Sequence, residues 1–307
     1  MPITHRETSA DHPPGSHLRS PRDLALDELP VLPGVVVRLM SMTPESEQFF
    51  EEVLTVARED PGLALRVIRT ANSPMSAPRS PITSLEGAVA RLGANHIADL
   101  VTTVAIARVF VPRTPGETEL WLHAIEVGTA CRVLAEHLHL DGVAPEHAYL
   151  AGLLHDIGRF ILFDQAPDFI RAVDDLAWTT PDELIQAEQT ICGIDHAKLG
   201  GRVCAHWDVP EPILTVVQHH HQQLADIPNP ARALLATVKV ADWLSIWQRT
   251  HDDTGDIADA ARRDLPELAL LSTHSLLDTV TAELANLLPT VRAASNQAAQ
   301  HLGLRTR

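Results

Sequence analysis

Lysine is almost missing from this 307-residue chain: of 24 basic residues only Lys198 and Lys239 are lysines, set against 40 Asp and Glu and a formal net charge of −16. Nucleic-acid phosphates demand Lys and Arg, so bare DNA or RNA is not expected as a partner. Cysteine is scarce. Cys131, Cys192 and Cys204 are odd in number and far apart, and no CxxC pair exists. That argues against a thiolate zinc site and against a disulfide framework. Aromatic residues make up only 4%, which points away from a β-sandwich and towards packed helices. No window reaches the ~18 uninterrupted apolar residues of a spanning helix; the richest, Ile97–Val111, carries Asp99 and Arg108. The opening MPITHRETSADHPPGSHLRSPRD has no apolar stretch and is no secretory signal. A cytoplasmic protein without membrane contact is expected. GxxxxGK[ST] and GxSxG are both missing, which leaves NTPase and serine-hydrolase readings unsupported.

What is present is helical patterning. Residues 1–25, rich in Pro, Ser, His and charge, read as a disordered tail. Helices follow in GVVVRLM, EQFFEEVLTVARED and DPGLALRVIRTANS, the last with Asp60 as N-cap and Pro61 at the first helical position. SLEGAVARLG is capped by Ser84 and stopped by Gly93. VPRTPGETE, with two prolines and a glycine, separates an N-terminal helical half (26–112) from a second half (113–250). Helices in the second half are expected at about 118–138, 146–164, 195–207, 211–221 and 231–249. A helical extension (251–307) ends the chain, with Pro289 as a candidate break. The fold class is all-α.

Several of these helices carry ionisable residues on apolar faces, taking ~100° per residue. His123 lies at the edge of the stripe Leu120, Ala124, Val127, Cys131. His155 and Asp156 sit in the nearly all-apolar run AYLAGLLHDIGRFIL. His196 shares a face with Leu199 and Val203. His220 sits on the stripe Ile213, Val216, Val217 with His221 at its edge, while His219 points away. Asp242 continues the stripe Ala231, Leu235, Val238. Singly, each has a structural explanation: a satisfied core histidine, a capping aspartate, a solvated helix end. Together they are five histidines and two aspartates from five helices, and a helical bundle can collect such groups at one point.

His and Asp are ligands for Fe, Mn, Ni, Zn or Mg. One or two divalent ions are expected, with Asp156 as a bridge between two metals ~3.5–4 Å apart. Water between two such ions attacks phosphorus in line, which suits hydrolysis of a nucleotide or small phosphoester. Glu119, one turn before His123, is a further candidate ligand. Trp121, Trp207, Trp243 and Trp247 read as core anchors. Asn72 and Ser73 read as turn formers, with a binding rim as the alternative.

LPVLP, DPGLALRVIRTANS, ITSLEGAVARLG, WLHAIEVG, AYLAGLLHDIGRFIL, GIDHAKLGGRVCAHWDVPEPI, VVQHHH and VADWLS, in this order over roughly 26–250, resemble the HDOD proteins. These are bacterial signalling relatives of the HD-domain metal phosphohydrolases. The resemblance implies an N-terminal helical subdomain packed on an HD-like bundle. It implies signalling through contacts with partner proteins in trans more often than catalysis. It places the ligand positions of binuclear HD members on His123, His155, Asp156, His196, His220, His221 and Asp242. The lysine that often follows HDIG is Arg159 here, which can hold a phosphate but is no tunable proton donor. The Gly-Tyr-Pro signature of cyclic-di-GMP phosphodiesterases is replaced by QQLADIPNP, so that activity is disfavoured.

Overall fold

A computed structural model of the chain describes residues 20–43, 46–138, 142–227, 229–251, 257–265 and 274–304. Among the described residues there is no strand, and the all-α expectation holds. The first five helices are α1 (Gly34–Ser41), α2 (Glu47–Glu59), α3 (Pro61–Ala71), α4 (Leu85–Leu92) and α5 (Ala94–Val109). Side chains of Ser46, Asp60 and Ser84 accept from backbone N–H groups of α2, α3 and α4 that no helical carbonyl can reach. The apolar faces close on a core of Leu39, Phe49, Val53, Val67, Ile97 and Val101.

A second, larger core is built by α6 (Pro115–Leu138), α7 (Pro145–Leu154), α8 (Ile157–Gln165), α9 (Pro167–Asp174), α10 (Pro181–Cys192), α11 (His196–His206), α12 (Ile213–His219), α13 (Asn229–Thr250), α14 (Ile257–Asp264) and α15 (His274–His301). Trp121, Leu154, Ile161 and Leu199 are fully buried in it. Val36 and Met40 of α1, with Ile106 and Phe110 from the end of α5, join this core rather than the first. α15 seals it with Leu284, Leu288 and Val291 and reaches the first half, where Gln297 Nε2 donates to Ser73 Oγ at 2.9 Å. Asn72 is structural: its amide donates to the carbonyls of Ile68 and Ile82 and accepts from Ile82 N–H.

Four local readings change. The single helix expected over 146–164 breaks at His155-Asp156, where Asp156 adopts φ −98°, ψ 18°. Helices α9 and α10 fall in a stretch from which the sequence suggested none, although Thr180 and Glu183 form a capping box with Pro181 at the first helical position. α15 runs through Pro289 without ending. Residues 1–19 of the expected tail lie outside the described residues. Ser20, within that tail, is ordered: its hydroxyl donates to Cys192 O, a carbonyl left over at the end of α10, and Pro21 is buried. No helix of the described residues is long and apolar enough to cross a membrane.

Candidate metal centre

The break between α7 and α8 lies at the middle of the site. Neighbours on a continuous helix point ~100° apart. The turn instead directs both His155 and Asp156 into one buried space, and Arg159 N–H closes it on Asp156 O at 2.8 Å. Asp156 Oδ1 faces His196 Nε2 at 3.1 Å and His220 Nε2 at 3.4 Å. Its Oδ2 faces His155 Nε2 at 3.6 Å and His123 Nε2 at 3.9 Å. One carboxylate thus divides its two oxygens between two clusters. The first is Asp156, His196, His220 and His221; the second is His123, His155 and Asp242. All seven residues singled out in the sequence are brought together. Glu119 is not among them; it faces Arg249 at 3.6 Å.

The histidines are held by their outer nitrogens. His155 Nδ1 lies 2.7 Å from Gly152 O, and His220 Nδ1 lies 2.9 Å from Val217 O. Only an N–H can bond a carbonyl, so Nδ1 carries a proton in each ring, and in the neutral imidazole Nε2 is then a lone pair aimed inward. Asp195 caps α11 by accepting from Lys198 N–H, which makes His196 the first residue of that helix. The N–H of His196 has no helical acceptor, and Glu188 Oε2 takes it at 2.8 Å together with His196 Nδ1 at 2.6 Å. On the other side His123 Nδ1 meets Ser245 Oγ at 3.1 Å. Ser245 donates to Glu126 at 2.7 Å, and Arg249 holds Glu126 at 2.8 Å.

Acceptor atoms therefore crowd together. His196 Nε2 is 2.9 Å from His221 Nε2 and 3.2 Å from His220 Nε2. Such an arrangement needs protons or cations between the lone pairs. Burial works against a charged His196, but Glu188 and Asp156 outweigh it and hold its pKa up at about 10. Burial, reinforced by the neighbouring imidazoles, drives His221 down to about 2. Burial opposes charge on Asp242 as well, yet the hydrogen bond and charge of His123 bring it to about 2. Asp156 lies well below the usual carboxylate range, because His155 and His196 overcome its burial. The donor set fits a pair of divalent metal ions: convergent imidazole lone pairs, two ionised carboxylates and anchored outer nitrogens.

The centre opens into a cavity of about 420 Å³. Arg159 lines it, buried, with its guanidinium 5.5 Å from the Trp178 ring and 5.9 Å from that of Phe163. It faces Asp174 at 3.5 Å, and its Nε has no hydrogen-bond partner among the described residues. Arg249 lines another part of the wall. Trp121, Trp207 and Trp247 are buried as core anchors, whereas Trp243 is half-buried with Nε1 on Asp264.

Glu188, Ser245 and Trp178 were not singled out in the sequence. Glu188 had a readable signal: it shares a helical stripe with Leu184, Ala187 and Cys192 and is fully buried. Ser245 and Trp178 carried none, because serine is common on helices and Trp178 lies in a loop.

Comparison with known proteins agrees with this architecture. An HDOD protein of unknown function from Geobacter sulfurreducens superposes with a TM-score of 0.71 at 26% identity, covering 89% of this chain and 94% of that one. A Shewanella amazonensis SB2B protein provisionally called a phosphohydrolase superposes at 0.66 with 23% identity, covering 90% and 96%. A second from that organism, provisionally called a metal-dependent phosphohydrolase, gives 0.55 at 20% identity, covering 87% and 92%. An uncharacterized protein of Treponema pallidum (strain Nichols) is 22% identical over 226 residues, 71% of this chain but only 42% of that longer protein. The family model of the HDOD domain matches residues 29–223, and the chain belongs to the HDOD family.

Proposed function

We propose that this centre holds two divalent metal ions and that the protein is a metal-dependent phosphohydrolase acting on a nucleotide or small phosphoester. The observation that carries the reading is the division of Asp156, one oxygen towards each cluster of histidines. Imidazoles predominate among the ligands, which favours Fe, Ni or Zn, while the two carboxylates also suit Mn. Bound there, the ions supply Lewis acidity to a phosphoryl oxygen and to water. The chain's own contribution is positional. Arg159, clamped by Trp178 and Phe163, offers a preset guanidinium to phosphate oxygens. An arginine does not give up a proton at neutral pH, so it binds charge without protonating the leaving group. The expected substrates are therefore esters with good leaving groups.

A second reading, a regulatory module that contacts signalling proteins in trans, is favoured by a different observation. Among the described residues, none before Gly116 lines the metal cavity, so α1–α5 place no side chain in its wall. Reconstitution with Mn or Fe, then assay against p-nitrophenyl phosphoesters and nucleotides, separates the two. The hydrolase reading expects turnover that Asp156→Ala abolishes and Arg159→Gln weakens mainly through KM. Two bound metals without turnover on any ester would leave only the regulatory reading.

A further inference from the structure

A second cleft lies where three parts of the chain meet: α5 of the first half, α6 of the bundle, and α15. It encloses about 610 Å³ and shares no lining residue with the metal cavity. Across Met75, Leu92, His96 and Gln297 it continues into a further hollow of about 290 Å³ that contains Arg91. Its walls are largely apolar, with Leu100, Val133 and Ala294. A concave apolar space of this size with a few polar groups is the usual form of a small-molecule site.

The polar groups are unusual in being unfinished. Asp99 and Arg132 form a buried ion pair across the junction of α5 and α6. Arg132 Nε has no hydrogen-bond partner, and neither has Asn95 Oδ1 or Gln297 Oε1, among the described residues. The Asn95 amide is fixed in orientation because its Nδ2 donates to the Glu146 carboxylate. Glu136, 3.3 Å from Arg132 Nη1, adds another acceptor. The cleft thus leaves, among the described residues, two amide oxygens without a donor and the Nε and Nη2 N–H groups of Arg132 without a hydrogen-bond acceptor, although Nη2 stays in the ion pair with Asp99. At the outer end Arg91 donates only to Ser76 and faces no carboxylate among the described residues.

We propose that this cleft binds a purine nucleoside monophosphate of the guanine type, with the base edge at Asp99, Asn95 and Arg132 and the phosphate at Arg91. A guanine edge brings adjacent N–H donors and a carbonyl acceptor, the complement of the unmet groups. The apolar walls take the base faces and the ribose. This site is separate from the metal centre and does not depend on what that centre does.

The test is calorimetric titration of the full chain with GMP in the presence of a chelator, so that the metal centre takes no part. About one GMP per chain is expected. The exposed change Arg91→Gln should weaken binding about tenfold or more, as loss of a charge-assisted contact does, while Arg159→Gln leaves it unchanged. AMP and inorganic phosphate should bind at least about tenfold more weakly than GMP. No binding up to millimolar GMP overturns the proposal. So does binding that Arg159→Gln removes and Arg91→Gln does not, or equal affinity for AMP or phosphate.

Discussion

Asp156 owes its low pKa to the imidazoles around it, and those imidazoles owe their orientation to groups behind them. Glu188 is the most consequential of these, because it holds both the ring and the backbone N–H of His196. Glu188→Gln keeps the shape but removes the charge, and metal affinity should fall about 10–100-fold, as for other outer-sphere partners; a competition titration with a chromophoric chelator reads this. Ser245→Ala breaks the contacts to His123 Nδ1 and Glu126 and touches no residue of the Asp156, His196, His220 and His221 cluster. It should therefore weaken one of two binding steps and leave the other in place. Protons give a further check. In the metal-free protein His196 keeps its proton up to about pH 10, so a metal ion must displace it. Apparent affinity should rise with pH between neutrality and about 10, and titrations in buffers of different ionisation enthalpy should show protons released. Affinity independent of pH over that range would contradict a protonated His196 in the metal-free centre.

At the scale of elements, the site depends on helices that approach at their backbones. A Cβ on Gly158 of α8 would run into the His196 carbonyl and come within 2.9 Å of Gly200 N on α11. A Cβ on Gly152 of α7 would lie 2.8 Å from Gly128 Cα on α6. These contacts set the spacing between the segments that carry Asp156, His196 and His123. Gly158→Ala should cost about 1–3 kcal/mol or more by overpacking and should lower metal binding with it; urea unfolding and metal analysis of one preparation measure both. Much of this element-level order was legible. His220 and His221 were separable from His219 by helical phase alone, and Asp60, Ser84 and Gly93 marked helix ends that the structure keeps. The break at residues 155–156 was not legible, because the run on both sides is apolar and helix-forming. Glu188 was missed because no helix was assigned over 181–192, even though the Thr180 capping box was there to be read.

For the whole molecule, the family match ends at residue 223, but the physical unit does not. Asp242 lies on α13, and α13–α15 fill the bundle core with Leu244, Ile257, Leu284 and Val291. A fragment 29–223 lacks a ligand and exposes the surface these side chains cover. It should fail to unfold cooperatively on heating, where the full chain shows one transition. The central claim is that seven residues from five segments of the chain form one binuclear site with Asp156 at its centre. Metal analysis of protein purified without chelator or added metal, beside an Asp156→Ala variant, tests it most directly. About two equivalents of Fe, Mn, Ni or Zn per chain are expected in the natural sequence and none in the variant. No metal in either, with a melting temperature unmoved by added Mn or Zn, would contradict the account.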